Sequence, residues 1–353
     1  MSKRRKFLQA IGAVAISSAS LVAAAAAPDV MGAQLQTPSG KPLRGLYPIM
    51  QTPFTPADKL DTESLANQVR WLNRGKVAGM IWPVFASSWS TLSDAERIEG
   101  AEAILAAGKG GKLAMAIAVQ NTKWDIATSV RYAKHAASHG ADAIVAIPPN
   151  NGWNVSDQAI IDYYKAIGAA TDLPLVVQTR GTVSVDLMIE MFRQIPTMKS
   201  TKDEVGDPLA RATELIRRTD NKLAIWAAGG GTGSQLLEEL ALGIVGCCPT
   251  PQYADLLQQV MELYWLGRKK EAFDMYGRVQ AFATLPGANE YLMIARGVFR
   301  EDSQLRQQPM EPEARAANPG GGGGGGRRSP ATDAQKQAIR DGLQTYLKPH
   351  LLT

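Results

Sequence analysis

Cysteine and histidine are scarce in this chain of 353 residues, which holds two of the first and three of the second. Cys247 and Cys248 are neighbours, so neither a disulfide framework nor the ligand spacing of a zinc site is available. A bond between the two would be strained, and the pair reads as two small apolar residues in a buried strand. His135 and His139 stand four apart, on one helical face just before Gly140, where a helix C-terminus favours such side chains. No third ligand lies nearby in the sequence, so no metal is expected there. An excess of one charge is also missing. Lys and Arg number 38 against 33 Asp and Glu, a net of +5. Residues 1–27 hold Lys3, Arg4, Arg5 and Lys6 and no acid, and removing those four leaves 34 basic residues against 33 acidic. That balance excludes a body built to grip nucleic acid.

What is present begins with an address label. Lys3 to Leu8 is a twin-arginine block, followed by a mild apolar stretch from Ile11 to Val22 with Gly12, Ser17, Ser18 and Ser20 inside it. Ala23 to Ala27 then offers small-residue cleavage sites. The run is short and Ser/Ala-rich beside the ~20 apolar residues of a membrane span. The expectation is a twin-arginine signal peptide over 1–27, a periplasmic or secreted protein, and no membrane attachment after its removal. Residues 28–42 read as an N-terminal extension, and no later stretch is apolar enough to span a bilayer.

From Gly45 onward, short apolar runs alternate with helical patterns. The runs are Gly45 to Gln51, Gly79 to Val84, Leu113 to Ala118, Ala143 to Ile147, Leu175 to Gln178, Met198 to Lys202, Leu223 to Ala227 and Ile244 to Cys248. They lack clean polar alternation, which suits strands covered on both faces. Between them lie segments such as Asp61 to Arg74 and Ser93 to Ala107, with apolar residues at three- and four-residue spacing after Ser, Thr or Asp caps. Eight such units over residues 43–250 predict an α/β fold, the (β/α)8 TIM barrel. An open doubly wound sheet would need a phosphate-binding turn after an early strand. Gly229 to Gly233 comes too late for that and has no acidic residue closing a following strand. Additional C-terminal helices are expected over 251–308. A Pro/Gly-rich flexible linker over 309–331 contains seven consecutive glycines, Gly320 to Gly326, and a last helix lies within 332–353.

In such barrels the reacting groups sit at the C-terminal ends of the strands. Alternation in the sixth strand puts Met198, Ser200 and Lys202 on one face, with Lys199 and Thr201 on the other. If the first face is the interior, Lys202 projects into the mouth. An amine walled by apolar residues there loses solvation, which favours the uncharged form that attacks a ketone. The other reading is a solvated lysine at a strand end.

Lys202 to Asp207, reading Lys-Asp-Glu-Val-Gly-Asp, resembles the Schiff-base lysine segment of the dihydrodipicolinate synthase and N-acetylneuraminate lyase family. The resemblance runs from about Leu43 to Phe299. It includes Gln51 to Phe54 with Asp61 after it, Gly79 to Ile81 followed by Thr91 to Arg97, and Gly140 to Ala143 before a strand ending in Pro148-Pro149. Asp172 to Val177, Leu242-Gly243 and Arg296 to Phe299 complete it. The resemblance implies a class I aldolase or a related lyase or hydratase on the barrel, with no cofactor. It further implies pyruvate or another 2-oxo acid as substrate and a homo-oligomer, tetramer or dimer.

The departures bear on the site. The family's loop after the second strand reads Gly-Thr-Thr-Gly-Glu and holds the substrate carboxylate. Here it is Val84 to Ser88, and a two-residue shortening would set Ala86-Ser87-Ser88 in the Gly-Thr-Thr place. Ser87 and Ser88 are then the expected carboxylate contacts. The family's catalytic tyrosine at the end of strand five falls on Gln178, which cannot shuttle a proton as a phenol does. The tyrosine pair after strand four falls near Asn150 and Asn151, and Arg180 stands at an altered offset in a shortened loop. The expected catalytic pair is Lys202 and Gln178, with Ser87, Ser88, Asn150 and Arg180 binding substrate and no metal. A Schiff-base lyase with a changed proton relay is the favoured reading. Its alternatives are a non-catalytic or weakly active binder of oxo acids or sugar acids, and a metal-dependent barrel aldolase, against which the quiet histidines argue.

Overall fold

The computed structural model describes residues 36–306 and 331–351. The expected signal peptide, most of the extension and nearly all of the glycine-rich linker lie outside the described residues. Eight parallel strands form the barrel: β1 (Gly45–Leu46), β3 (Gly79–Trp82), β4 (Ala114–Ala118), β5 (Ala143–Ala146), β6 (Leu175–Gln178), β7 (Met198–Asp203), β8 (Ala224–Ala227) and β9 (Gly246–Cys247). They run in the order β1-β9-β8-β7-β6-β5-β4-β3. Met50 donates its N–H to the Ile81 carbonyl at 3.0 Å and Ile81 donates to Pro48 at 3.0 Å, which brings β3 back against the β1 segment. The (β/α)8 barrel expected from the alternation is the fold.

Helices α1 (Thr62–Arg74), α2 (Asp94–Gly108), α3 (Ile126–Ser138), α4 (Asp157–Gly168), α5 (Val185–Gln194), α6 (Pro208–Arg218) and α7 (Leu236–Leu242) follow the strands. Six of them start where the sequence supplies a cap. The side-chain oxygens of Asp61, Ser93, Asp125, Ser156, Ser184 and Asp207 accept N–H groups from the first helical turn. Those donors have no partner inside a helix, so each cap contributes about 1 kcal/mol.

The strands separate two apolar layers. Their outward residues and the helices share one cluster, while the barrel interior is a second, lined by Ala114, Ala116, Ala118, Ala143, Val145, Val176 and Ala224. Small side chains there leave room for Tyr47 and Trp226, whose rings stack at 4.1 Å. Gly79 and Gly246 make that possible. A Cβ on either would come within 2.2 Å of the Tyr47 or the Trp226 ring, respectively. The plug fills the barrel centre and leaves the C-terminal mouth to polar residues.

One expectation about β7 needs correcting. Leu175 pairs with Met198 but Val176 pairs with Ser200, a register shift around Lys199. Met198 therefore packs in the helix-facing cluster, while Ser200 and Lys202 stay opposite Val176 and Gln178.

After β9 come α8 (Ala254–Trp265), α9 (Lys269–Ala283) and α10 (Ala288–Ala295). Strand β10 (Gln304–Leu305) then pairs antiparallel with β2 (Pro53–Phe54), and α11 (Asp333–Gly342) packs against α10. Arg306, just past β10, stacks 3.8 Å over Phe54 and bonds Asp58 at 2.7 Å. That anchors the C-terminal segment on the loop after β2, and a further bond to the Thr91 carbonyl at 3.2 Å ties it to the loop after β3.

Cys247 and Cys248 are buried and unbonded to each other, on opposite faces of the last barrel strand. Glu239 on α7 is buried beside Cys247, and burial raises its carboxyl from the ordinary 4.5 to about 7. A raised carboxyl keeps its proton in the folded state while the unfolded chain releases it. Stability from this group is thus fully present below pH 4.5, falls as pH climbs to about 7, and is lower by up to ~3 kcal/mol above that. Glu239→Gln should raise the unfolding free energy at pH 8 and change it little at pH 4.5, measured by denaturant titration at both.

Candidate active site

Lys202, the last residue but one of β7, lies on the interior face and is 3% exposed. Its ammonium contacts one carboxylate oxygen of Glu204, two residues on and on the same side of the strand. The other oxygen of Glu204 accepts the Gln178 Nε2 at 2.8 Å and lies 3.8 Å from the Arg180 guanidinium. Lys202, Gln178 and Arg180 therefore meet on one carboxylate. Burial works to raise the Glu204 carboxyl, but the charges of Lys202 and Arg180, with hydrogen bonds from Lys202 and Gln178, outweigh it and hold it below its ordinary value.

Asp203, between the two, faces the other way and fixes the backbone. It accepts the Thr179 hydroxyl at 2.5 Å and two Arg211 nitrogens at 2.8 and 3.0 Å. The same Thr179 oxygen accepts the Glu204 N–H at 2.8 Å. The chain around Lys202 is thus tied from both faces of the strand, and the amine has little freedom to leave the mouth.

Arg180 is positioned by a crossing of two loops. Thr182 donates N–H and hydroxyl to the Gly152 carbonyl at 3.1 and 3.0 Å. Gly152 and Gly181 both have positive φ, and a Cβ on Gly181 would come 2.5 Å from the Gly152 backbone. Only glycine allows that approach. The guanidinium then lies 4.3 Å over the Phe85 ring. Phe85, Trp89 and Trp124 continue edge to face at 6.4 and 5.5 Å, forming an aromatic wall from the loops after β3 and β4.

The other expected contacts sit differently. Ser87 is fully buried, donating its hydroxyl to the Met50 carbonyl at 2.5 Å and accepting the Val84 N–H at 3.2 Å. Ser88, in the left-handed region, donates its hydroxyl to the Arg306 carbonyl. Both hydroxyls hold the loop in place. Asn150 is exposed and donates to the Trp153 carbonyl at 2.7 Å, while its neighbour Asn151 is buried. Among the described residues, neither side-chain polar atom of Asn151 has a hydrogen-bond partner. The same holds for Oε1 of the buried Gln178 and Gln120 and for Nε of Arg180. Buried polar groups are seldom left unpaired, and these lie at the ends of β4, β5 and β6 around the mouth. They suit a ligand rich in oxygen and hydrogen-bonding groups.

Sequence reasoning missed Glu204, Asn151, Gln120 and Phe85. Two of these carry a signal. Glu204 is two residues beyond Lys202, and Gln120 extends the interior series Ala114, Ala116, Ala118, so period-two alternation reaches both. The aromatic wall joins Phe85 and Trp89, four residues apart in one loop, to Trp124 in the next, and that pairing of loops has no local signature.

The Dihydrodipicolinate synthetase family pattern matches residues 42–288, most of the chain. The chain belongs to that family. A 4-hydroxy-tetrahydrodipicolinate synthase of Haloarcula marismortui is 30% identical over 210 residues, covering 58% of this chain and 65% of the relative. One from Sphingopyxis alaskensis is 30% identical over 174 residues, covering 48% and 57%. The chain therefore aligns with less than two thirds of either relative. Among solved structures, N-acetylneuraminate lyase from Mycoplasma synoviae superposes with a TM-score of 0.69 at 20% identity, covering 86% of this chain and 98% of that one. Dihydrodipicolinate synthase from Aquifex aeolicus gives 0.67 at 15% identity, covering 86% and 98%. Both share the barrel and its C-terminal helices. In this chain Lys202 stands near the end of the sixth barrel strand, and position 178 carries an amide tied to Glu204.

Proposed function

We propose that the protein is a Schiff-base-forming lyase, of aldolase or hydratase/dehydratase type, acting on pyruvate or a related 2-oxo acid. The carrying observation is the buried Lys202 amine in contact with a carboxylate that Gln178 and Arg180 also engage. Glu204 takes a proton from the Lys202 ammonium, and the free amine adds to the substrate's C2 carbonyl. The carbinolamine hydroxyl leaves as water with a proton returned by Glu204, which yields a protonated imine. That imine accepts the electron pair of a bond at the adjacent carbon, so a carbon–carbon bond or a C–H bond breaks there. The proton released, from the C–H or from the hydroxyl that becomes the product carbonyl, passes to the Glu204 carboxylate. Rejoining or reprotonation at that carbon, then hydrolysis, frees Lys202. Arg180, partly exposed over Phe85, supplies a positive charge for the substrate carboxylate. Glu204 thus stands in for the relay that a tyrosine at position 178 would provide.

Borohydride added with pyruvate and a panel of 2-oxo acids tests the reading. One adduct per chain, mapped by peptide mass to Lys202, is the expected result. Replacement of the tyrosine by Gln178 supports a second reading, a binder of oxo acids or sugar acids. It would show ligand binding with no adduct from any panel member.

A homo-oligomer, tetramer or dimer, and a place outside the cytoplasm belong to the same proposal. The twin-arginine block Arg4-Arg5 supports export. Among the described residues no helix is long and apolar enough to cross a membrane. Lysine at positions 4 and 5 should hold the protein inside the cell, read by fractionation. Unchanged fractionation would remove the export proposal.

A further inference from the structure

The two histidines that had no third partner in the sequence acquire one in the fold. Helices α2 and α3 pack side by side outside the barrel, and Glu102 on α2 faces His135 in the last turn of α3 and His139, its C-cap. One carboxylate oxygen of Glu102 lies 2.9 Å from His135 Nε2 and 3.8 Å from His139 Nε2. One donor atom from each of the three side chains falls within 4.8 Å of the others. The imidazole rings lie 4.1 Å apart, centroid to centroid, as expected for residues one turn apart on a helix.

The second nitrogen of His139 is already committed. Its Nδ1 lies 2.8 Å from the His135 carbonyl, which can only accept, so that nitrogen carries the proton. The Ser138 hydroxyl also approaches Nδ1, at 3.2 Å. The lone pair of His139 is therefore on Nε2, the atom turned toward Glu102. Backbone carbonyls play this orienting part for histidines that bind metals.

We propose that Glu102, His135 and His139 form a binding site for a divalent transition ion of the zinc type, bridging α2 and α3. Bonds of about 2.0–2.2 Å from nitrogen and carboxylate oxygen set neighbouring donors about 3.3 Å apart. The two carboxylate–imidazole separations of 2.9 and 3.8 Å bracket that value, and with all three donors within 4.8 Å of one another, side-chain rotation alone brings them onto one ion. Two imidazoles and one carboxylate favour zinc over calcium or magnesium, which prefer oxygen alone. The ion displaces the proton between His135 Nε2 and Glu102 to solvent, and water completes the tetrahedron. Glu102 and His139 are exposed and His135 partly so, which leaves the site open to ions from solution. It lies on the outer helices, apart from Lys202, and clamps two neighbouring units of the barrel.

The test uses the full chain without a polyhistidine tag, stripped with a chelator and titrated with zinc chloride by calorimetry. One ion per chain is expected, with Glu102→Gln and His139→Ala each weakening binding about tenfold or more. His350→Ala, the one other histidine, should leave the isotherm unchanged. Cobalt in place of zinc should give visible absorption bands that are lost in His139→Ala. Absence of saturable binding, equal affinity in the His139 variant, one ion per two chains, or competition by calcium at equal concentration would each overturn the site.

Discussion

Lys202→Arg should abolish both the borohydride-trapped adduct and turnover, while leaving the ion pair to Glu204 in place. A guanidinium stays charged at any pH the fold tolerates and cannot add to a ketone. Glu204 keeps a cationic neighbour, so the variant separates loss of the nucleophile from loss of the buried charge. Removing the charge altogether would leave Glu204 buried with only Arg180 opposite, a change of the kind that costs about 3–5 kcal/mol. Far-ultraviolet dichroism should match the parent, and binding of a 2-oxo acid should survive, because Arg180 and the arginine at 202 both remain cationic. A variant that still forms an adduct would place the imine on another lysine. One that turns over without an adduct would end the Schiff-base reading.

How much of this site is legible in the sequence follows from the range of the forces that build it. The eight strands are legible because burial on both faces writes itself as short apolar runs, and Lys202 is legible as the polar end of one of them. The caps at Asp61, Ser93 and Ser156 are legible because a cap and its partner lie within one turn. Beyond that range the sequence is silent or misleading. Ser87 looks like a ligand-binding hydroxyl, yet the Met50 carbonyl, 37 residues away, accepts its hydrogen bond. The face of Met198 follows from a register shift against β6, set by pairing rather than by the alternation of β7 itself. Arg180 is offset in the chain but returns to the mouth because Gly152 and Gly181 let two loops touch. Glu102 sits 33 residues before His135, and only the packing of α2 on α3 joins them.

The role of Glu204 makes the strongest demand on the arrangement. Glu204→Gln keeps the shape and the hydrogen-bonding reach of the side chain but removes the proton acceptor beside Lys202. General acid–base assistance contributes about 10²–10⁴-fold, so turnover should fall by that order while the Lys202 adduct still forms, more slowly. The fall is not a folding effect if the variant's unfolding midpoint tracks that of Gln178→Ala, which also removes a bond to the same carboxylate. The pH profile gives a second, independent reading. The cationic neighbours outweigh burial and keep Glu204 ionised below its ordinary 4.5, so the acid limb of kcat/KM in the parent should lie below that pH. The glutamine variant has no carboxylate to protonate there and should lose that limb. Stability has the same sign. A carboxylate held low stabilises the fold above its unfolded value and gives that contribution up as pH falls through the lowered one. An unchanged turnover in Glu204→Gln would leave Lys202 without its relay and move the proton to water in the mouth, where Gln120, Asn151 and Gln178 offer the unpaired atoms to hold it.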